Sequence, residues 1–197
     1  VTVHRGTEGG GGVTRIGDNP AVAEALAGGK VDVVAGTQWL LARPEFDDAF
    51  DVLFVDEASQ MSLANAVALG TCARSIVLIG DQNQLPMVTQ GVHPGGADAS
   101  SLGHLVGDAA TIAVDRGLFL ETSRRLHPDI NAFISPAFYA GRLETHPDTA
   151  RRRVNGDDRT LAGSGVRWVP VPHVGNGPRS REEADIVSYA AGHKTLG

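Results

Sequence analysis

Two short stretches carry side chains suited to chemistry on a phosphate. The first is Val52-Leu53-Phe54-Val55-Asp56-Glu57-Ala58-Ser59-Gln60, in which four apolar residues deliver two adjacent carboxylates. Successive side chains leave a strand on opposite sides, so Asp56 and Glu57 need not share a task. One carboxylate can hold Mg²⁺, a hard cation usually bound by one or two carboxylates plus substrate phosphates. The other can orient and deprotonate a water. The second stretch is Ser75-Ile76-Val77-Leu78-Ile79-Gly80-Asp81-Gln82-Asn83-Gln84-Leu85-Pro86. Gly80 would let the chain turn tightly off the strand, leaving Asp81 and Gln84 close to its end. A glutamine amide both donates and accepts, so it can touch a terminal phosphate oxygen and pass its presence to a loop. Taken singly, each stretch is also what a solvated polar turn after a core strand looks like.

The elements that must position these groups are legible. Asp51–Val55 and Ser75–Ile79 are continuous apolar runs, the pattern of strands buried on both faces. Ser62–Cys72 between them reads as a helix. Strand, helix, strand in this order predicts βαβ units and a parallel sheet, hence an α/β fold. Ligands in such sheets sit at the carboxyl ends of the strands, where both acidic stretches fall. Upstream, Val1–Gly17 is glycine-crowded and reads as loop. Pro20 opens a short helix, Ala21–Ala27, stopped by Gly28-Gly29. Val31–Ala35 is a short strand, followed by Gly36-Thr37 and a helix over Gln38–Ala42 that stops before Pro44. Gly91–Gly103 is a connection. A second unit is expected from about Gly117, with a helix from His127-Pro128 to about Tyr139 whose apolar residues Ile130, Phe133, Ile134 and Phe138 recur at helical spacing. Val166–Val171 is expected as a strand. Ser180–Ala191 is expected as a helix opened by a capping box of Ser180 and Glu183.

Composition narrows the field. The 197 residues include 17 basic and 23 acidic side chains, for a net charge of −6, so a surface coated in positive charge is excluded. With 42% hydrophobic and 20% charged residues the chain can bury a core. The single cysteine, Cys72, excludes a disulfide framework and a multi-cysteine metal site. No apolar run approaches a membrane span and no signal-peptide pattern opens the chain, so a soluble cytoplasmic protein is expected. The glycine cluster Gly9–Gly12 has no GxGxxG register, which argues against a dinucleotide-binding oxidoreductase.

Taken together, the DEASQ and GDQNQLP stretches with a helix and a strand between them resemble motifs II and III of superfamily 1 helicases. The likeness is to the 5′→3′ branch that includes the nonsense-mediated-decay and Okazaki-fragment helicases, where DEAxQ and GDxxQLPP recur at this spacing. Met87 stands where the second proline is usual. Val31–Thr37 (VDVVAGT) is similar to the strand of motif Ic. Leu120–Leu143 (LETSRRLHPDINAFISPAFYAGRL) is similar to motif IV, with Arg125-Leu126-His127-Pro128 at the RMHP positions and Arg124 where tyrosine is usual.

The resemblance implies two RecA-like domains of P-loop NTPase type. Residues 1–117 would be the later part of the first, and residues 118–197 the opening of the second. It implies ATP and Mg²⁺ as cofactors. Asp56 would carry the metal, Glu57 would be the general base, Gln84 would sense the γ-phosphate with Asp81 beside it, and Gln60 would join the nucleotide site. Arg125 would be an arginine finger, whose planar fork suits the charge on a phosphoryl group in flight. Thr37 would grip the backbone of single-stranded nucleic acid, DNA ahead of RNA, and phosphate contacts of that kind need no strongly basic surface. A GxxxxGK[ST] loop is missing: Lys30 lacks the following hydroxyl residue, and Lys194-Thr195 lacks the preceding glycine. The expectation is therefore a segment of a larger helicase, inactive alone, whose remaining N- and C-terminal parts supply that loop and motifs V and VI. The competing expectation is a non-catalytic remnant or regulatory fragment that binds nucleic acid or a protein partner.

Overall fold

The computed structural model describes residues 2–4, 12–85, 94–155, 161–191 and 195–196. Gly9–Gly11, Pro86, Met87, Gly91 and His193-Lys194, which figure in the sequence reading, lie outside the described residues. The chain divides into two compact units, Val1–Asp108 and Ala109–Gly197. The division precedes Gly117, where the sequence places it. Its reason is Arg142, whose guanidinium donates to Thr111 Oγ1 and to Glu121, each at 2.9 Å, and lies 4.8 Å from the centre of the Phe119 ring. These contacts draw residues 109–117 into the second unit.

In the first unit, β1 (Thr2–His4), β2 (Val13–Arg15) and, after α1 (Asn19–Ala27), β3 (Val33–Ala35) form an antiparallel sheet in the order β2-β1-β3. One expectation is corrected here. The glycine-crowded start holds two strands rather than loop alone, and the strand before Gly36-Thr37 pairs with β1. The α1 helix starts where Asp18 accepts from the Ala21 amide at 3.3 Å and Pro20 occupies the first turn, where its missing N–H costs nothing. After α2 (Gln38–Leu41) come β4 (Phe50–Val55), α3 (Leu63–Gly70), β5 (Ala73–Leu78) and α4 (Ser101–Val106). The β4 and β5 strands are parallel, with Phe54 opposite Val77 and Val55 opposite Leu78, so β4–α3–β5 is the expected βαβ unit. Serines cap both helices: Ser62 Oγ accepts from the Asn65 amide at 3.2 Å and Ser100 Oγ from the Gly103 amide at 3.1 Å.

Leu53 and Val55 on β4 are buried with Val22, Leu40, Leu41, Phe46, Leu69, Cys72 and Leu102. The opposite face of β4 is not covered: Val52 is exposed and Phe54 is 66% exposed. Burial on both faces, expected from the unbroken apolar run, is thus found on one face only. The packed side shares a core with Leu69 of α3, Leu102 of α4 and Ala58 of the turn after β4.

In the second unit, β6 (Thr122–Ser123), α5 (Pro128–Phe138) and β7 (Glu144–Thr145) make a second parallel βαβ arrangement. The strand β8 (Arg153–Val154) precedes α6 (Arg181–Ala191) and pairs antiparallel with β9 (Thr195–Leu196). Two more expectations are corrected. The inward residues of α5 are Asn131 and Ser135, whereas Phe133 is 70% exposed. The Asn131 side chain donates to the Leu143 carbonyl at 2.7 Å, and that bond sets the helix's rotation. Val166–Val171 is not a strand, because no neighbouring strand among the described residues pairs with it. The α6 capping box is half formed. Ser180 Oγ accepts from the Glu183 amide at 3.2 Å, but the Glu183 carboxylate lies 3.1 Å from His173 Nε2 instead of turning back to Ser180.

Candidate functional site

The site grows from the ends of β4 and β5. At the end of β4, Asp56 Oδ1 accepts the amide of Glu57 at 3.0 Å, which fixes one carboxylate oxygen against the backbone. Glu57 then takes a left-handed conformation, φ 54° and ψ 41°, which reverses the chain into one turn of 3₁₀ helix over Ala58–Gln60. Both carboxylates are exposed, as is Gln60, whose amide donates to the Glu57 carbonyl at 2.8 Å. The chain leaves β5 alongside. Ile79 donates to the Val55 carbonyl and Ala58 donates back to the Ile79 carbonyl, both at 2.8 Å, so the parallel ladder continues past the strands into the two loops.

Gly80 is the hinge of this arrangement in a way the sequence did not reveal. Its backbone is not left-handed, so no turn demands glycine. A Cβ there would stand 3.0 Å from the Ala58 nitrogen, 3.2 Å from the Ser59 nitrogen and 3.3 Å from Leu102 Cδ2. Glycine is needed because two backbones meet. Beyond it, Asp81 Oδ1 accepts from the Asn83 amide at 3.0 Å, and the Gln84 side-chain amide lies 3.4 Å from Asp81 Oδ2. The Asp81 carboxylate thus shapes its own loop and holds the head of Gln84.

Asp56, Glu57 and Gln60 are therefore brought to the same sheet end as Asp81 and Gln84. Thr37 is not on that sheet. It follows β3 and stands at the N-terminus of α2, exposed, with its hydroxyl making no capping bond. Arg125 belongs to the second unit. Its guanidinium is on an exposed residue, and its backbone is held from both sides: the amides of Arg125 and Leu126 donate to Ser123 Oγ at 3.3 and 3.1 Å, and Arg152 donates to the Arg125 carbonyl at 2.6 Å. Next along, His127 Nδ1 accepts from the Asp129 amide at 3.1 Å to cap α5, and its Nε2 lies 3.2 Å from the Ala150 carbonyl.

Two contributors escaped the sequence reading. Ser101 is buried and donates to the Ala58 carbonyl at 2.9 Å, tying α4 to the turn that carries the carboxylates. Ser59 is also buried, and its hydroxyl has no partner among the described residues. Ser101 lies 43 positions from Ala58, and no local pattern announces such a pair.

The donor set is hard oxygen, which suits Mg²⁺. Among the described residues no group of three or more His, Cys, Asp or Glu side chains could enclose a metal. A cation on Asp56 would therefore take its remaining oxygens from a phosphate ligand and water, the usual pattern for magnesium with a nucleotide.

Residues 22–90, which contain this whole constellation except Arg125, match the family described as AAA domain. Over 102 residues the chain is 32% identical to the probable helicase MAGATAMA 3 of Arabidopsis thaliana, and over 110 residues 29% identical to the helicase SEN1 of Saccharomyces cerevisiae. The likeness is to helicases. It supports a superfamily 1 helicase-like family and, with the parallel βαβ units, a P-loop NTPase-like α/β fold. Each match covers 50% of this chain, but only 12% of MAGATAMA 3 and 4% of SEN1, so the chain spans a small part of either relative. No helix among the described residues is long and apolar enough to cross a membrane.

Proposed function

We propose that this chain is a segment of an ATP-dependent helicase or translocase of the 5′→3′ superfamily 1 branch, working on single-stranded nucleic acid. Residues 1–117 are read as the later part of one RecA-like domain, and residues 118–197 as the opening of the next. Asp56 holds Mg²⁺, Glu57 takes the proton of the attacking water, and Gln84, steadied by Asp81, reads the terminal phosphate. Gln60 lies on the same loop as the two carboxylates and joins the nucleotide site. Magnesium, when bound with the triphosphate, neutralises charge on the phosphoryl oxygens. Arg125 is the arginine finger that supplies fixed positive charge, and the Thr37 hydroxyl meets the nucleic-acid backbone.

The observation that supports this reading most is the backbone contact at Gly80. It ties the loop bearing Asp56 and Glu57 to the start of the loop bearing Asp81 and Gln84. The exposure of Asp56 and Glu57 leaves them open to a ligand.

The test is ATP turnover by the protein that carries this segment together with a GxxxxGK[ST] loop. Glu57→Gln abolishes nucleic-acid-stimulated hydrolysis while nucleotide binding persists. Arg125→Ala lowers kcat by about 10³–10⁵, the range for an arginine finger. The isolated 197-residue chain does not turn over ATP. Hydrolysis that survives Glu57→Gln, or an Arg125→Ala variant with unchanged kcat, refutes the assignment.

A further inference from the structure

Trp39 is 76% exposed, although tryptophan is among the side chains that gain most from burial. Its exposure follows from how α2 is seated. Leu40 and Leu41 are both buried, and Gly36 leaves the space Leu40 occupies: a Cβ at Gly36 would stand 2.8 Å from Leu40 Cδ2. With the two leucines pinned, the rotation of this four-residue helix is set and the indole is turned to solvent. Thr37 stands two positions earlier, also exposed, with its hydroxyl uncommitted to capping. Two residues of chain span at most about 7 Å, so hydroxyl and indole are within reach of one nucleotide. The nearby cation Arg43 is paired with Glu45 at 2.7 Å, so this surface offers stacking rather than concentrated positive charge.

We propose that Trp39 is a stacking platform for a base of single-stranded nucleic acid whose backbone is held at Thr37. The inference rests on the nucleic-acid part of the proposed function and adds to it the group that takes the base. A ring that stacks on any base gives affinity without sequence preference, as a moving enzyme requires. It also provides attraction that a chain of net charge −6 does not get from bulk electrostatics.

The sequence contains two tryptophans, so Trp168→Phe, a change at an exposed position, leaves Trp39 as the only indole. Titrating that variant with a short oligothymidylate quenches its emission saturably. Anisotropy of a labelled oligothymidylate shows affinity about tenfold or more weaker for Trp39→Ala, with Trp39→Phe retaining most of it. Binding that persists with unchanged emission, or unchanged affinity in Trp39→Ala, overturns the stacking role and leaves the nucleic-acid reading standing. Absence of any oligothymidylate binding by the unsubstituted chain removes both. Emission that changes with protein concentration alone assigns the ring to a second copy of the chain and overturns the proposal.

Discussion

Gly80→Ala tests the contact that joins the two acidic loops. The new methyl would sit 3.0 Å from the Ala58 nitrogen and 3.2 Å from the Ser59 nitrogen, tighter than ordinary van der Waals approach by a few tenths of an ångström. Neither neighbour is a flexible side-chain end. Ala58 is itself committed, its amide donating to the Ile79 carbonyl at 2.8 Å, so retreating from the methyl stretches that bond. Overpacking of this kind costs about 1–3 kcal/mol. For a unit the size of residues 1–108 that lowers Tm by roughly 4–12 °C. Gly70→Ala is the matched control. It is the last residue of α3, with only Ile76 Cδ1 at 3.4 Å and no left-handed backbone, and glycine to alanine at a compatible position gains about 0.4–1 kcal/mol by restricting the unfolded chain. Calorimetry on both variants should therefore move Tm in opposite directions. A Gly80→Ala chain that melts with the unsubstituted one would show that the loops are not held by this contact.

Other expectations follow from single contacts. Ser101→Ala removes the shorter of two bonds to the buried Ala58 carbonyl, leaving the Met61 amide at 3.3 Å, and lowers unfolding free energy by about 0.5–1.5 kcal/mol in urea titrations; an unchanged midpoint contradicts the tie between α4 and that turn. Burial pushes the Cys72 thiol above its ordinary range, so Ellman's reagent should label it only as fast as the chain opens, and labelling at the rate of a free thiol contradicts its place in the core. Backbone and Asn176 hydrogen bonds hold the Glu182 carboxyl below the usual glutamate range. The folded state thus favours the anion: its contribution to the α6 N-terminus is complete above the unfolded value and is lost as pH falls through the lowered one. An NMR titration of that carboxyl checks it, and a midpoint at or above the usual range counts against the contact.

What could be read in the sequence was local. The β4 and β5 strands, and the helices α1, α3, α5 and α6, announce themselves by apolar runs, serine, proline and His-Pro starts, and glycine stops, all within a few residues of each other. Gln84 beside Asp81 is likewise a contact three positions apart. What escaped depends on distant partners. The β1 and β2 strands are three residues each, formed by pairing across a glycine-rich stretch whose sequence has no strand period. Val166–Val171 has strand-forming residues and no strand partner among the described residues. Phe133 has helical spacing, yet Asn131 takes the inward face because its amide finds the Leu143 carbonyl. Gly80 looked like a turn residue and is a contact residue, a distinction visible only once Ala58 is beside it.

Glu57 occupies a backbone conformation, φ 54°, that L-residues other than asparagine and glycine avoid at about 1–2 kcal/mol. Glycine would relieve that strain, so Glu57→Gly should melt higher than the unsubstituted chain while losing any chemistry that needs the acid. Thermal tolerance and turnover pull opposite ways at this one position. A lineage released from the need for hydrolysis would be free to drift there toward glycine or asparagine, which makes residue 57 a gauge of whether a relative still works for its living.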